Sequence, residues 1–162
     1  LDSDLIPVAI APLFPYIFLT KLRGMPAKDR FHDLVKHALI ADGWAVTDDP
    51  LHIRVGKEDT FIDLGAERML LAEKGSERIA VEIKGFAQPS FVYAFHEALG
   101  QFLNYVVALE KAGEARDLYL AMPEEAYTRL RKSELANTSI ERYGLRLLIF
   151  DDQSPSITQW IK

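Results

Sequence analysis

From Pro26 onward the apolar positions fall at helical spacing. Phe31, Leu34, Val35, Ala38 and Leu39 recur every three or four residues, Pro26 suits a first helical turn, and Gly43 stands where the helix would stop. The period then shortens to two. Trp44 to Thr47 and Leu51 to Val55 read as short strands around the turn "DDP", and Thr60 to Glu73 reads as mostly extended. After the turn "KGSE", Arg78 to Lys84 runs back as a strand, which predicts a hairpin. Along that strand Ile79, Val81 and Ile83 share one face, while Ala80, Glu82 and Lys84 share the other. Pro89-Ser90 marks a second helix start, with Phe95, Leu99, Phe102, Leu103, Val106 and Leu109 as its apolar face. "DLYLAM" (Asp117 to Met122) reads as a buried strand stopped by Pro123. Glu124 to about Lys132 follows as a short helix with acidic residues in its first turn, where the helix dipole favours them. "LRLLIF" (Leu145 to Phe150) and Ile157 to Ile161 complete the strands. Helix, meander, helix, strand, helix, strand is the order of a mixed α/β sheet with helices on its faces.

With 162 residues the chain is the size of one domain with one good core, and residues 25–162 are assigned to it. Cysteine is absent, which removes disulfides, thiolate metal sites and cysteine nucleophiles, and suits a cytoplasmic protein. The net charge of −5 means that contact with nucleic acid needs a local basic patch or metal ions. Residues 1–24 differ from the rest. "LIPVAIAPLFPYIFLT" is apolar but holds Pro7, Pro12 and Pro15, which argues against a membrane-spanning helix. Asp2 and Asp4 occupy the place where a signal peptide would be basic. This leader is set apart from the domain; the well-formed helix start after Met25 makes Met25 the expected natural start, with the leader as upstream sequence read in frame.

Four residues carry candidate chemistry. Asp63 in "TFIDLGAE" is a carboxylate in the middle of an apolar strand. Glu82 lies 19 positions later on the strand expected to pair with that region, and Lys84 follows two residues on. Gln101 in "ALGQFLNY" belongs to the next helix, with Tyr105 one turn further along the same stripe. Metal-dependent phosphodiester cleavage wants this set. Asp63 and Glu82 could hold a hard divalent cation, Mg²⁺ or Mn²⁺, and the backbone carbonyl of Ile83 could add a ligand. Lys84 could orient or help deprotonate the attacking water, and Gln101 could position that water or the phosphate. Each residue also has a plainer role: Asp63 in a turn or a structural bridge to Lys84, Gln101 in solvent, and Tyr105 in packing.

The combination resembles a known pattern. Asp63, a spacer, then Glu82-Ile83-Lys84 is similar to the PD-(D/E)XK arrangement of restriction-endonuclease-like proteins, and "QFLNY" resembles the Q-x-x-x-Y signature of RecB-like members. More narrowly, "MPAKDRFHDLVKHALIADGWAVTDDPL", "FIDLGAE", "AVEIKGF", "FHEALGQFLNY", "LYLAMP" and "ITQWIK" resemble the XisH family, the fdxN-element excision controlling factors of cyanobacteria. The resemblance runs from Met25 to Lys162. It implies a restriction endonuclease-like α/β core and a role in programmed DNA excision during heterocyst development, with a site-specific recombinase and a small XisI partner. Carried over residue by residue, it makes Asp63 and Glu82 the metal carboxylates, Lys84 the catalytic lysine and Gln101 the positioning residue.

One departure matters. Many nucleases of that superfamily carry a glutamate on the first helix, whereas "RFHDLVKH" offers His32, Asp33 and Lys36. His32 and Lys36 share a stripe that could face the site, with Asp33 in solvent. His96 and Glu97 lie one turn before Gly100 and Gln101, so either could approach it; Arg129, Arg131 and Lys132 form a small basic cluster at a helix end. His37 and His52 carry no functional expectation. Two classes of function stand: a metal-dependent endonuclease acting on DNA, or a catalytically inactive accessory protein of the same fold that binds an XisI-like partner. A nuclease toxin held silent by that partner is a variant of the first.

Overall fold

The computed structural model describes residues 25–70 and 75–162. The expected leader, residues 1–24, lies outside the described residues, as does Lys74 of the expected "KGSE" turn.

Helix α1 spans Ala27–Ala41, with Pro26 at its N-terminal cap position rather than inside its first turn. It ends as its glycine predicts. Gly43 takes φ +87°, which costs a residue without Cβ nothing, and the Trp44 N–H reaches back to the Leu39 carbonyl at 3.0 Å. Strands β1 (Ala45–Asp48), β2 (Leu51–Val55), β3 (Glu58–Ile62), β4 (Leu64–Leu70) and β5 (Gly75–Ile83) follow. Then come α2 (Phe91–Ala112), β6 (Asp117–Pro123), α3 (Glu124–Leu130), α4 (Glu134–Tyr143), β7 (Arg146–Phe150) and β8 (Ile157–Ile161).

Six strands form one sheet in the order β1-β4-β5-β6-β7-β8, and β2 and β3 form a separate two-stranded sheet. The β5–β6 and β6–β7 pairs are parallel, while β1–β4, β4–β5 and β7–β8 are antiparallel. The fold is therefore mixed α/β with helices on both faces, as expected.

Three details differ from the sequence reading. The extended stretch from Thr60 is two strands, because Asp63 interrupts it between β3 and β4. "KGSE" is mostly strand: Ser76 and Glu77 pair with Met69 and Arg68. The segment Glu134–Tyr143 is helix α4, capped by the Ser133 hydroxyl, which accepts from the Ala136 N–H at 3.2 Å.

Both faces of the sheet are core. One face turns Ile79, Val81, Tyr119, Ala121, Leu148 and Phe150 toward Phe31, Leu34, Val35 and Leu39 of α1. The other turns Ala80, Leu118, Leu120, Met122, Leu147 and Ile149 toward α2, α3, α4 and the inner residues of the hairpin, Leu51, Ile53 and Ile62. The alternation along β5 thus places Glu82 in the second core, directly beneath α2. It is the one charged residue among the described residues that is buried as a whole, backbone included, at 5% exposed.

Candidate functional site

The end of β5 is where the candidate residues converge. Leu64 pairs with Val81, which brings Asp63 beside the last residues of β5. The chain breaks its strand there, and the freed Asp63 carboxylate accepts a hydrogen bond from the Ile83 N–H at 2.8 Å. That bond anchors one oxygen, Oδ2, and orients the carboxylate against the Glu82-Ile83-Lys84 backbone. Lys84 continues the parallel ladder, its N–H donating to the Ala121 carbonyl at 2.9 Å, so its side chain follows Glu82 on the same face. Its Nζ lies 3.4 Å from Glu82 Oε1. The lysine's ion-pair partner is thus Glu82, while the Asp63 oxygen is engaged by backbone.

Electrostatically the pair of carboxylates is strained. Burial, with the Asp63 charge beside it, lifts Glu82 to about 7, and Lys84 only partly offsets this. Gln101 and Tyr105 are brought together, the Gln101 Nε2 donating to the Tyr105 hydroxyl, but they line a neighbouring cavity rather than the one that Asp63 and Lys84 line. Burial raises the Tyr105 pKa, the Glu82 and Asp63 charges adding to it against hydrogen bonds from Gln101 and Thr60. Tyr105 is therefore both core and neighbour of the carboxylates.

A cleft of about 260 Å³ opens in front of Asp63 and Lys84, walled by Phe31 and His32 of α1, by Phe86 and Gln88 of the β5–α2 loop, and by Glu97 of α2. Two backbone features shape this wall. Gly85 lets α1 approach, since a Cβ there would stand 2.7 Å from the Phe31 ring. Phe86 takes φ +52°, an uncommon conformation for a bulky residue. It is held by stacking on Phe91, ring centroids 5.5 Å apart, and by Arg129, which donates to its carbonyl at 3.4 Å. Arg129 also lies 5.0 Å over the Phe91 ring, so this member of the basic cluster serves the loop.

The auxiliary residues divide. His32 lines the cleft, but its Nε2 is 2.7 Å from Asp49, which also accepts from Lys36 at 2.6 Å. Against a burial contribution that raises it, the Lys36 hydrogen bond and the His32 charge hold Asp49 below its usual value. Lys36 is thus occupied on the outer side of α1. His96 is exposed and lines no cavity described here, while its neighbour Glu97 reaches the cleft and accepts from Gln88 at 3.1 Å. Lys28, Phe86 and Gln88 were not singled out by the sequence. Lys28 stands four residues before His32 on α1, a helical-stripe signal that could have found it.

Among the described residues no group of three or more His, Asp or Glu side chains could hold a metal ion. The donor set is two carboxylates and the Ile83 carbonyl, all hard oxygen donors, and it leaves most coordination positions to water and substrate. That suits Mg²⁺ or Mn²⁺, which keep several waters, better than a cation needing a full protein cage.

A family model described as XisH protein matches residues 25–158. Among solved structures, an XisH family protein from Nostoc punctiforme PCC 73102 is 39% identical, with TM-score 0.73, covering 83% of this chain and 100% of that one. A fdxN element excision controlling factor protein from Anabaena variabilis is 40% identical, also with TM-score 0.73, covering 83% of this chain and 99% of that one. No curated protein matches the chain. Among the described residues no helix is long and apolar enough to cross a membrane.

Proposed function

The chain belongs to the XisH family, and from that premise we propose that it acts in programmed DNA excision through a metal-dependent endonuclease site of the PD-(D/E)XK kind. The observation that carries the proposal is the buried, incompletely compensated Glu82 beside Asp63 and Lys84, which line the cleft. A buried carboxylate beside a second, half-buried one is costly for folding alone, and a divalent cation held by both would offset that cost. A bound Mg²⁺ or Mn²⁺ would polarise a phosphate oxygen and lower the pKa of water.

The protein side of the reaction follows from the geometry. Asp63 and Glu82 would hold the cation, with the Ile83 carbonyl as a third donor. Lys84, 3.4 Å from Glu82, orients the attacking water and stabilises charge on the phosphate. Gln101, fixed by Tyr105, positions the water or a phosphate oxygen. The substrate is DNA, the compartment the cytoplasm, and an XisI-like protein and a site-specific recombinase are the proposed partners.

A second reading rests on the missing third acidic ligand among the described residues. In it the protein keeps the fold but binds its partner without cutting, or is a nuclease silenced by that partner. Incubating the purified protein with supercoiled and branched DNA in Mg²⁺ or Mn²⁺, beside Lys84→Ala, separates the two. The nuclease reading expects metal-dependent cleavage that falls by at least about a hundredfold in the variant. Cleavage undiminished in Lys84→Ala, or none in the wild type, overturns it in favour of the accessory role.

A further inference from the structure

A second cavity, about 630 Å³, lies between the β2–β3 hairpin and α2, lined by Val55, Glu58, Thr60, Gln101, Asn104 and Val107 among others. Resting on the nuclease reading above, we propose that an unpaired nucleic-acid strand crosses α2 at Gly100, with its phosphates in the cleft and its bases in this hairpin groove.

Three independent features support that path. The two cavities are consecutive along one side of α2: Ala94 and Glu97 line the cleft, and Gln101, Asn104 and Ala108 line the groove, at steps of three and four residues. Their chemistry differs in the sense a strand requires. The cleft holds Lys28 and Lys84, which suit phosphate, beside Asp63 and Glu97, the first of which is a proposed metal carboxylate. The groove's described lining holds no cation: Glu58 is its one charged residue, and apart from Gln101, assigned above to the water or a phosphate oxygen, around it are hydrogen-bonding Thr60 and Asn104 with apolar Val55 and Val107. That lining repels phosphate and suits base edges and faces.

Gly100 is the third feature. It sits inside a 22-residue helix, where glycine is less favourable than alanine. Its backbone is ordinary helix, and a Cβ there would meet nothing within 4 Å. Neither a turn nor packing within the chain accounts for it, and its position between the two cavities marks a place where a ligand's backbone comes close. An unpaired strand rather than a duplex follows from depth. Glu82 is 5% exposed and the Lys84 side chain 27%, so a phosphate must descend to them, which a flexible strand can do and a rigid duplex cannot.

The test uses the full chain with Gly100→Gln, Gly100→Ala and Asn104→Ala, and a labelled single strand of about 12 nucleotides beside its blunt duplex, in Ca²⁺. Wild type is expected to bind the single strand at least about tenfold more tightly than the duplex. Gly100→Gln should lose about tenfold in single-strand affinity while its thermal midpoint stays level or rises, because glutamine is a better helix former. Asn104→Ala should lose a smaller factor, and Gly100→Ala should gain stability and keep most of the affinity. Undiminished binding by Gly100→Gln, or duplex bound as tightly as single strand, overturns the proposal. If that result comes with Mg²⁺-dependent cleavage that Lys84→Ala abolishes, the nuclease reading survives; wild type that neither binds nor cleaves DNA overturns both.

Discussion

Two buried charges lie three residues of β5 apart in environment, one at each end of the strand's core stretch, and they are treated oppositely. At the Ile79 end, the Arg116 side chain is 5% exposed and fully engaged: it donates to Asp48 at 3.1 Å, to Glu114 at 3.1 Å and to the Ile79 carbonyl at 3.4 Å. Glu114 in turn meets Arg78 at 3.4 Å. At the other end, Glu82 is equally buried, faces the like charge of Asp63, and is offset only in part by Lys84 and a hydrogen bond from the Asp63 backbone. A charge whose every valence is met by the chain is there for the fold. A charge left incompletely compensated behind the residues of a cleft has its partner elsewhere, and this is the contrast on which the functional reading depends.

The contrast can be broken most severely at Arg116. Arg116→Met leaves Asp48 and Glu114 facing each other without their cation and should cost about 2–4 kcal/mol in urea-induced unfolding. A loss below about 0.5 kcal/mol would show that the network is ornamental and that burial of charge here says nothing about role.

Glu82→Gln should act in the opposite direction. Its carboxyl titrates near 7 in the folded chain against 4.5 for the ordinary group, so the folded state binds this proton more tightly than the unfolded one. Its contribution to stability is therefore greatest below about 4.5 and declines as the pH rises toward 7. Removing the charge should thus stabilise the metal-free protein at pH 8 by up to about 3 kcal/mol and flatten that pH dependence. Added Mg²⁺ should raise the thermal midpoint of wild type and not of the variant. A variant less stable than wild type at pH 8 would show that Glu82 is a structural residue like Arg116.

The smallest effect sharpens the comparison at the surface. Asp49 holds Lys36 and His32 where water screens all three, so Asp49→Asn should cost only about 0.2–1 kcal/mol. Because the Asp49 pKa is depressed on folding, that contribution is present above its ordinary value of 3.8 and is lost as the pH falls through the lower folded value. Equal stabilities of wild type and variant at pH 7 would place this clamp among ion pairs of no consequence.

Much of this was legible in the sequence because it is periodic or local. The α1 stripe from Phe31 to Leu39, the Ser90 start of α2 and the buried run "DLYLAM" all follow from spacing and punctuation, and each corresponds to an element. The proximity of Asp63 to Glu82 and Lys84 needed only a hairpin. What escaped did so for physical reasons. Helix α4 buries only Ala136 fully, so its apolar period is faint although Ser133 and Gly144 punctuate it well. The interruption at Asp63 is a single residue, too short to register against seven apolar or β-branched neighbours. The face holding Ala80 and Glu82 looked less apolar than its opposite, yet both are core, because strands in the parallel part of a sheet are covered on two sides. The Arg116 network joins residues 37 and 68 positions apart, a distance over which no local pattern carries information.

The break at Asp63 also has a meaning for how such proteins can diversify. The hairpin from Leu51 to Ile62 belongs to its own small sheet, joined to the large one through Asp49-Pro50 at one end and Asp63 at the other. The groove-lining positions Val55, Glu58 and Thr60 can therefore be rewritten while Leu51, Ile53 and Ile62 keep the hairpin seated and Asp63 keeps its bond to Ile83. The hairpin is an interchangeable cassette on a fixed engine: lineages, or designers, could retune what is recognised without touching the residues proposed to cut.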